Sequence, residues 1–219
     1  MMMFVRIEEG EKMIQYIRPE NVDDRILESA CQKLREGELI AIPSDTNWIV
    51  LCDPSKKLGV QKLYQLKNED KIKHFSLICD SLKTANDIAV IDSQTFRIMK
   101  RLVPGHYTFI LPARKSIMKS LKASKSDHEV GVRIIPIDWI NKLIEYFGEP
   151  LLSTNLNNQL LNIDEDDEVY GILIDENLNH EISLVIDPGE CNFVGQSTIL
   201  NFAKDEADPL ERIGAGPWP

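Results

Sequence analysis

Hydroxyl and amide side chains recur where short apolar runs of this sequence end or begin. Ser44–Thr46 and Ser153–Asn155 each follow an apolar run, and Ser197–Thr198 opens another. In open α/β sheets ligands bind beyond the strand ends, where such groups orient a nucleotide or an amino acid through neutral hydrogen bonds. The alternative is that these residues only form turns and caps, so the three segments are informative only together.

The familiar catalytic motifs are absent from the sequence. It contains no Walker loop, no G-x-G-x-x-G fingerprint and no HExxH pair, and none of the serines above has the G-x-S-x-G setting of a serine hydrolase. The four cysteines form no C-x-x-C pair and lack metal-ligand spacing. We therefore expect reduced, mostly buried thiols and no structural metal site.

The charge of the chain is unevenly distributed. The net charge is −10, yet Lys56 to Lys125 carries 15 Lys and Arg against 5 Asp and Glu, and the remaining residues carry 10 against 30. A basic middle in an acidic protein predicts an anionic ligand held in one place, although solvated helix faces are the alternative. The negative total argues against unspecific coating of nucleic acid.

Apolar runs alternating with amphipathic stretches must position these groups. Asn21 is predicted to cap a helix that Gly37 ends, and further amphipathic stretches follow. The alternation predicts an α/β fold, a sheet with helices packed on it, in a single domain over 1–219. The predicted strands are Leu39–Ile42, Trp48–Cys52, Phe75–Cys79, Tyr107–Leu111, Val130–Ile134, Leu151–Thr154, Leu184–Asp187 and Thr198–Phe202.

The compartment is expected to be the cytoplasm. The first 13 residues include acidic side chains and no long apolar core with a cleavage site, so we predict no signal peptide. No apolar run approaches the roughly 20 residues that a membrane helix needs. Thiols without a disulfide framework agree with a reducing compartment.

Eight segments, in order along the chain, resemble the motifs of the YrdC/YciO family. They include counterparts of its Pro-Thr-Asp-Thr, Lys-x-Arg, Pro-Gly-x-x-Thr and Ser-x-Asn motifs. Each match is modest, but eight in register are specific. The segments are Gly37–Thr46, Leu63–Lys67, Lys73–Cys79, Pro104–Ile110, Gly131–Pro136, Gly148–Asn155, Ser197–Ile199 and Arg212–Gly214.

The resemblance implies a fold and an activity. The fold would be a twisted, mixed, open α/β sheet with a concave basic face. Enzymes of this family are nucleotidyltransferases that join L-threonine, bicarbonate and ATP, with Mg²⁺, into threonylcarbamoyl-AMP and release pyrophosphate. That product serves the modification of tRNA to threonylcarbamoyladenosine, and the family is also associated with binding of double-stranded RNA.

The resemblance also implies where the nucleotide would bind. By matched position, Lys67 would hold the triphosphate, and Ser153 and Asn155 would contact the nucleotide and its phosphates. These three are the expected catalytic residues, because the reaction needs positioning and charge neutralisation and no protein nucleophile. Thr108 and Arg212 would support the nucleotide.

A second set would line the amino-acid and carbamate end of the site. By the same matching it consists of Thr46, Arg133 and Ser197, and Arg133 can bind a carboxylate with its planar fork. Structural alternatives exist for several assignments. Lys67 would otherwise be a solvated helix-end lysine, Arg133 a sheet-edge ion pair, Asn155 a turn former and Ser197 a strand-start hydroxyl.

The sequence departs from the family pattern at a few positions. Glu69 stands where the arginine of Lys-x-Arg belongs, and an acid there would repel phosphate. Trp48–Ile49 replaces the usual Tyr-Gly and is expected to narrow the pocket, whereas Ser44 for Thr is a mild change. Such departures place the chain nearest the YciO branch and predict weak or altered synthase activity. Cations suggested as substitutes for the missing arginine are Lys71, Arg97 and Lys100.

Three functions therefore remain open. The first is a synthase of threonylcarbamoyl-AMP or a related acyl-adenylate, with ATP, L-threonine and bicarbonate as its small molecules. The second is a protein that binds nucleotide and tRNA or double-stranded RNA without efficient turnover, through cations such as Lys115 and Lys119. The third is another small-molecule enzyme on the same fold, because a fold does not fix the chemistry.

Overall fold

Ten β-strands form one sheet in the computed structural model, which describes residues 13–67, 75–115, 117, 128–164, 167–204 and 207–218. The strands are β1 Ile14–Tyr16, β2 Leu39–Pro43, β3 Trp48–Cys52, β4 Ser76–Ile78, β5 Tyr107–Pro112, β6 Glu129–Arg133, β7 Leu151–Asn155, β8 Ile182–Asp187, β9 Thr198–Asn201 and β10 Leu210–Arg212. The α-helices with described bounds are α1 Asp24–Arg35, α2 Lys57–Lys67, α3 Leu82–Ile88, α4 Ser93–Leu102, α5 Asp138–Phe147 and α6 Gly171–Leu178, and a 3-10 helix spans Asn158–Leu161.

Neighbouring strands of the sheet run both parallel and antiparallel. The spatial order is β1-β8-β2-β3-β7-β4-β6-β5-β9-β10. Strand β8 lies parallel to both β1 and β2, β4 lies parallel to β6, and β5 lies parallel to β9. The other neighbours are antiparallel. The predicted mixed, open α/β sheet with helices packed on it is confirmed.

One face of the sheet is covered by helices along most of its width. Helices α2, α3, α4 and α6 bury apolar side chains against this face, which contributes Val50, Leu77 and Phe109 among others to a common core. Removing these apolar side chains from water stabilises the packing of the helices on the sheet. We call this side of the sheet the closed face.

The opposite side of the sheet is covered only in part. Helices α1 and α5 pack over the half formed by β8, β2, β3 and the first residues of β7 and β4, where Ile40, Leu51 and Ile78 are buried. Beyond that cluster Ser76, Ile110 and Gly131 are half-buried, and no described helix packs an apolar residue of either core over them. We call this uncovered surface, over β7, β4, β6, β5 and β9, the open face.

Helix α1 begins later than the sequence suggested. Asn21 was the expected cap, but the N-cap is Asp23, whose Oδ1 accepts from the backbone N–H of Arg25 at 2.9 Å. Asn and Asp cap equally well, so composition alone could not choose between them. The end of the helix agrees with the prediction, because Gly37 adopts a left-handed φ of +82°.

Most of the cysteines are buried, as the sequence predicts. Cys31, Cys52 and Cys79 are buried and Cys191 is half-buried, all outside any disulfide, and burial raises the pKa of the Cys31 thiol. None of the described helices has both the length and the apolar character to cross a bilayer.

Candidate functional site

The turn between β2 and β3 extends two polar side chains toward β6. Ser44 closes this turn, because its backbone N–H and its hydroxyl both donate to the Asn47 carbonyl, at 2.8 and 2.7 Å. The Ser44 hydroxyl oxygen also accepts from the backbone N–H groups of Thr46 and Asn47 at 3.2 Å. With Ser44 committed to the turn, Asp45 and Thr46 are the side chains that reach the neighbouring strands.

Arg133, at the end of β6, forms a buried ion pair with Asp45. Its Nη2 donates to Asp45 Oδ1 at 2.6 Å and its Nη1 donates to Thr46 Oγ1 at 3.2 Å. The side chains of Arg133 and Asp45 are only 6% and 3% exposed. Burial lowers the pKa of the Arg133 guanidinium, Asp45 opposes that effect, and the nearby charge of Arg212 adds to it. The buried Nε–H of Arg133 finds no hydrogen-bond partner among the described residues.

His106 occupies the second oxygen of the same carboxylate. Its Nδ1 lies 2.7 Å from Asp45 Oδ2, and its side chain is 32% exposed. Sequence reasoning gave no role to Asp45 or His106, because the two residues lie 61 positions apart. The only sequence signal was the acid inside the polar triplet Ser44–Thr46, and an aspartate that only forms a turn explains it equally well.

Thr108, Ser197 and Arg212 form a second hydrogen-bonded group beside the first. The hydroxyls of Thr108 and Ser197 lie 2.8 Å apart, and Arg212 Nη2 donates to the Ser197 carbonyl at 2.7 Å and to its hydroxyl at 3.3 Å. The backbone after Arg212 packs closely against the residues that precede β9, because a Cβ at Gly214 would approach the Gln196 carbonyl oxygen to 2.2 Å. Only glycine fits at that position without displacing Ser197.

Lys67, Ser153 and Asn155 meet at the end of β7. Lys67 Nζ donates to the backbone carbonyl of Asn155 at 3.4 Å, so the end of α2 is held against this strand. Ser153 is 4% exposed and donates its hydroxyl to the Ser76 carbonyl at 2.8 Å. Asn155 is exposed at the strand end.

Strand register determines which of these residues share a face. Ser153 lies opposite Ser76 and Ser76 lies opposite Gly131, so all three point to the same side of the sheet. Because side chains alternate along a strand, Asn155 and Arg133, two positions further on, point to that side as well. This side is the open face.

The same register brings in the strands beyond β6. Ile110 lies opposite Gly131, and Thr108, two residues earlier, lies opposite Ile199. Hydrogen bonds join Thr46, Ser197 and Arg212 to the residues of this face. Lys67 is the exception among the predicted residues, because its hydrogen bond goes to the backbone carbonyl of Asn155. The residues brought together at the open face are Thr46, Thr108, Arg133, Ser153, Asn155, Ser197 and Arg212.

The expected narrowing of the site by Trp48 and Ile49 is wrong. Trp48 is 1% exposed in the core of the closed face, and its indole N–H donates to the Val169 carbonyl at 2.9 Å. Ile49 is buried with the side chains under α1 and α5. Trp48 points to the closed face, and Ile49, although it lies opposite Asn155 and so on the other side of the sheet, is fully buried under α1 and α5.

Two of the cations suggested as substitutes for the missing arginine, Arg97 and Lys100, do not lie at the site. Arg97 and Lys100 are exposed on α4, which packs against the closed face. Glu69 and Lys71 lie outside the described residues.

Comparison with known proteins gives a consistent family assignment. A family model covering Sua5, YciO and YrdC proteins, described as telomere recombination, matches residues 32–212. YciO of Escherichia coli is 28% identical over 203 residues, which are 92% of this chain and 95% of YciO. The crystal structure of E. coli YciO matches with a TM-score of 0.80 and covers 93% of this chain and 96% of its own.

Two further relatives carry names that state an activity or a ligand. A threonylcarbamoyl-AMP synthase of Vibrio parahaemolyticus is 31% identical over 133 residues, 59% of this chain and 71% of the synthase. The crystal structure of P. abyssi Sua5 complexed with L-threonine shares the fold, with a TM-score of 0.71 at 22% identity over 86% of this chain and 54% of that protein. From the family match over residues 32–212 we conclude that the chain belongs to the Sua5/YciO/YrdC family.

Proposed function

We propose that this protein binds ATP and L-threonine on its open face and converts them, with bicarbonate, to threonylcarbamoyl-AMP and pyrophosphate. The observation that carries the proposal is the convergence of Arg133 and Arg212 on an uncovered sheet face, where Asp45 is the one carboxylate that contacts either of them among the described residues. Two guanidinium groups and one carboxylate leave an excess positive charge. An anionic group of a ligand would balance that charge.

The amino-acid end of the ligand fits around Arg133. Its Nε–H is buried and unpartnered among the described residues, and such a group carries a free-energy cost until an acceptor reaches it. A carboxylate or a carbamate is the acceptor for which a guanidinium is best suited. Hydroxyls of Thr46 and Ser197 lie beside it and can orient the polar groups of a small substrate.

The nucleotide end fits along the open face toward β7. Strands lie about 4.8 Å apart, so β7 and β9 are separated by about 19 Å across the face. Lys67 and Asn155 at one side and Thr108 and Arg212 at the other would therefore contact different parts of an extended nucleotide. Ser153 would join them by accepting a hydrogen bond, because its own proton is committed to the Ser76 carbonyl.

The proposed chemistry asks for positioning and charge neutralisation. An oxygen of the threonine carbamate attacks the α-phosphorus, and pyrophosphate leaves, so no side chain has to act as a nucleophile. Mg²⁺ bound with ATP supplies neutralisation of the leaving pyrophosphate. No group of three or more His, Cys, Asp and Glu in the described part of the chain could hold a metal ion. The phosphates themselves would therefore be its main ligands.

The relatives support this proposal to different depths. The synthase of Vibrio parahaemolyticus is named for threonylcarbamoyl-AMP, and P. abyssi Sua5 was crystallised with L-threonine. YciO of Escherichia coli matches 92% of the chain. A YciO-like sequence with Glu69 in the Lys-x-Arg motif is expected to turn over slowly.

Loss of Lys67 is expected to slow the reaction. We expect Lys67→Ala to reduce pyrophosphate release by about 10- to 100-fold, the value of one charge-assisted hydrogen bond to phosphate. The assay contains ATP, Mg²⁺, L-threonine and bicarbonate, and mass spectrometry identifies the adenylate. Lys57→Ala is the matched control, because Lys57 is exposed at the opposite end of the same helix. Wild-type pyrophosphate release no higher than that of Lys67→Ala would contradict the proposal.

A second function, binding of RNA without turnover, is favoured by the basic segment between Lys56 and Lys125. In the structure, however, the cations of α3 and α4, such as Lys83 and Lys100, lie on helices of the closed face. An RNA site would therefore be separate from the open face. This second function predicts that affinity for double-stranded RNA falls as the salt concentration rises. In Lys115→Ala the dependence of affinity on salt should be less steep, and an affinity that does not change with salt would reject an RNA site.

A further inference from the structure

Asp45 and His106 form a pair of the kind that moves protons. Asp45 is buried, and both of its carboxylate oxygens are hydrogen-bonded. Oδ1 accepts from Nη2 of Arg133 at 2.6 Å, and Oδ2 lies 2.7 Å from Nδ1 of His106. An ionised carboxylate only accepts hydrogen bonds, so Nδ1 of His106 must carry the proton. The second ring nitrogen, Nε2, is then a free lone pair, and none of the described residues hydrogen-bonds to it.

A cavity adjoins this pair. It has a volume of about 310 Å³, and Asp45 and His106 both line it. Most of the other lining side chains are apolar or small, and Ser44 and Glu190 add polar groups. The remaining lining residues are Pro19, Pro43, Pro136, Ile137, Trp139, Pro188, Cys191, Asn192 and Val194. A cavity of this size can hold a small polar group beside His106, whereas Arg133, Thr46 and Ser197 do not line it.

The spacing of the charged groups also fits an α-amino acid. Arg133 and His106 contact the two oxygens of one carboxylate, so they lie within a few ångströms of each other. A substrate carboxylate near Arg133 would therefore place its α-amino group near His106. In an α-amino acid those two groups are attached to the same carbon.

We propose that His106 is the base that deprotonates the α-amino group of the amino-acid substrate, which rests on the function proposed above. The substrate ammonium transfers one proton to Nε2 of His106, and Asp45 stabilises the imidazolium that forms. The freed nitrogen lone pair then forms the N–C bond to bicarbonate, whose hydroxyl leaves as water with a proton from that nitrogen. The carbamate results, and the imidazolium returns its proton to solvent.

The proton transfer is required because an ammonium has no lone pair to attack with. At neutral pH the α-amino group of free threonine is protonated, so a nearby acceptor contributes directly to the rate. A histidine oriented by a carboxylate is the commonest protein group for this task. His106 is also 32% exposed, so the proton can leave to water.

The charged and titratable groups around His106 set how it responds to pH. Asp45 of the β2–β3 turn contacts it directly, and Arg133 of β6 lies on the other side of that carboxylate. Glu190 and Cys191 of the loop between β8 and β9 line the same cavity. A base accepts a proton only in its unprotonated form, so the proposal predicts an activity that falls on acidification.

Kinetics of His106→Gln would test this proposal. Gln keeps a donor for Asp45 but cannot accept a proton, so we expect kcat for the complete reaction to fall by on the order of 10²-fold. The KM for ATP is expected to stay within a few-fold of that of the wild type. His180→Gln is the matched control, since His180 is exposed after α6. Imidazole added to His106→Ala should restore part of the rate.

The pH profile separates a base from a positioning residue. The wild-type kcat/KM for threonine is expected to fall as the pH is lowered, and this fall should be absent from His106→Gln. An unchanged kcat, or the same acid limb in the variant, would overturn the role of His106 while the function proposed above stands. No reaction by the wild-type protein would overturn the function itself. A flat wild-type profile would overturn the base even if the variants do not fold.

Discussion

Replacing Asp45 with alanine is expected to lower the free energy of unfolding by about 3–5 kcal/mol, because it leaves the Arg133 charge buried without a counter-ion. The side chains of Arg133 and Asp45 are nearly inaccessible, at 6% and 3% exposure, so the ion pair is largely desolvated. Equilibrium unfolding in urea would measure the change. Asp45→Asn keeps the shape and loses only the charge, and we expect an intermediate effect.

A double variant shows whether this loss comes from the unpaired charge. In Asp45→Ala/Arg133→Met both charges are gone, and the free energy of unfolding should recover by at least about 1 kcal/mol relative to Asp45→Ala alone. Exposed ion pairs are typically worth about 1 kcal/mol or less. A loss of less than about 0.5 kcal/mol in Asp45→Ala would therefore contradict a buried, desolvated pair.

Arg133→Met is expected to reduce pyrophosphate release by on the order of 10²–10³-fold. The reason is that the guanidinium would bind the carboxylate or carbamate of the substrate in a site from which water is largely excluded. Arg133→Lys keeps the charge but not the planar fork, so we expect its rate to exceed that of Arg133→Met by less than tenfold. Rates are measured at a temperature at which circular dichroism shows each variant folded.

The matched control for this loss is Arg97→Met. Arg97 is exposed on α4 at the closed face, so the same change of charge and volume there should leave the rate unaltered. A rate for Arg133→Met within threefold of the wild type would mean that Arg133 serves only its ion pair with Asp45. That is the structural alternative that the sequence already left open.

Much of the sheet was predictable because its central strands are buried on both sides. The apolar run Trp48–Cys52 predicts β3 with the bounds that the structure gives it. Strands β1 and β10 were missed, since each has three residues and no alternation that distinguishes it from loop. Their strand conformation depends on pairing with β8 and β9, which are distant in sequence.

The sequence pointed to residues that the structure brings together, but not to the hydrogen bonds that connect them. Polar residues at strand ends, together with the family motifs, pointed to Thr46, Arg133 and Ser197. The structure places all three at the open face, and their role in binding stays a prediction. The link between Asp45 and His106 was missed, because only the tertiary placement of the β2–β3 turn beside β5 joins them. A single histidine before a strand has no pattern in sequence.

The charge pattern was a poorer guide to location. The excess of cations between Lys56 and Lys125 suggested one anion site, but the structure distributes the described members of that segment over several helices. Lys67, on a helix of the closed face, contacts the backbone carbonyl of Asn155 at the end of β7, whereas Lys62 pairs with Glu38 at 2.5 Å. Sequence distance does not determine on which side of a sheet a helix will pack.

A crystal structure with a non-hydrolysable ATP analogue, Mg²⁺ and L-threonine would test the central claim most directly. We expect the triphosphate beside Lys67 and Asn155 and the threonine carboxylate at Nε of Arg133, all on the uncovered half of the sheet. Nucleotide bound among the helices of the closed face, or an open face still empty at saturating nucleotide, would contradict the account.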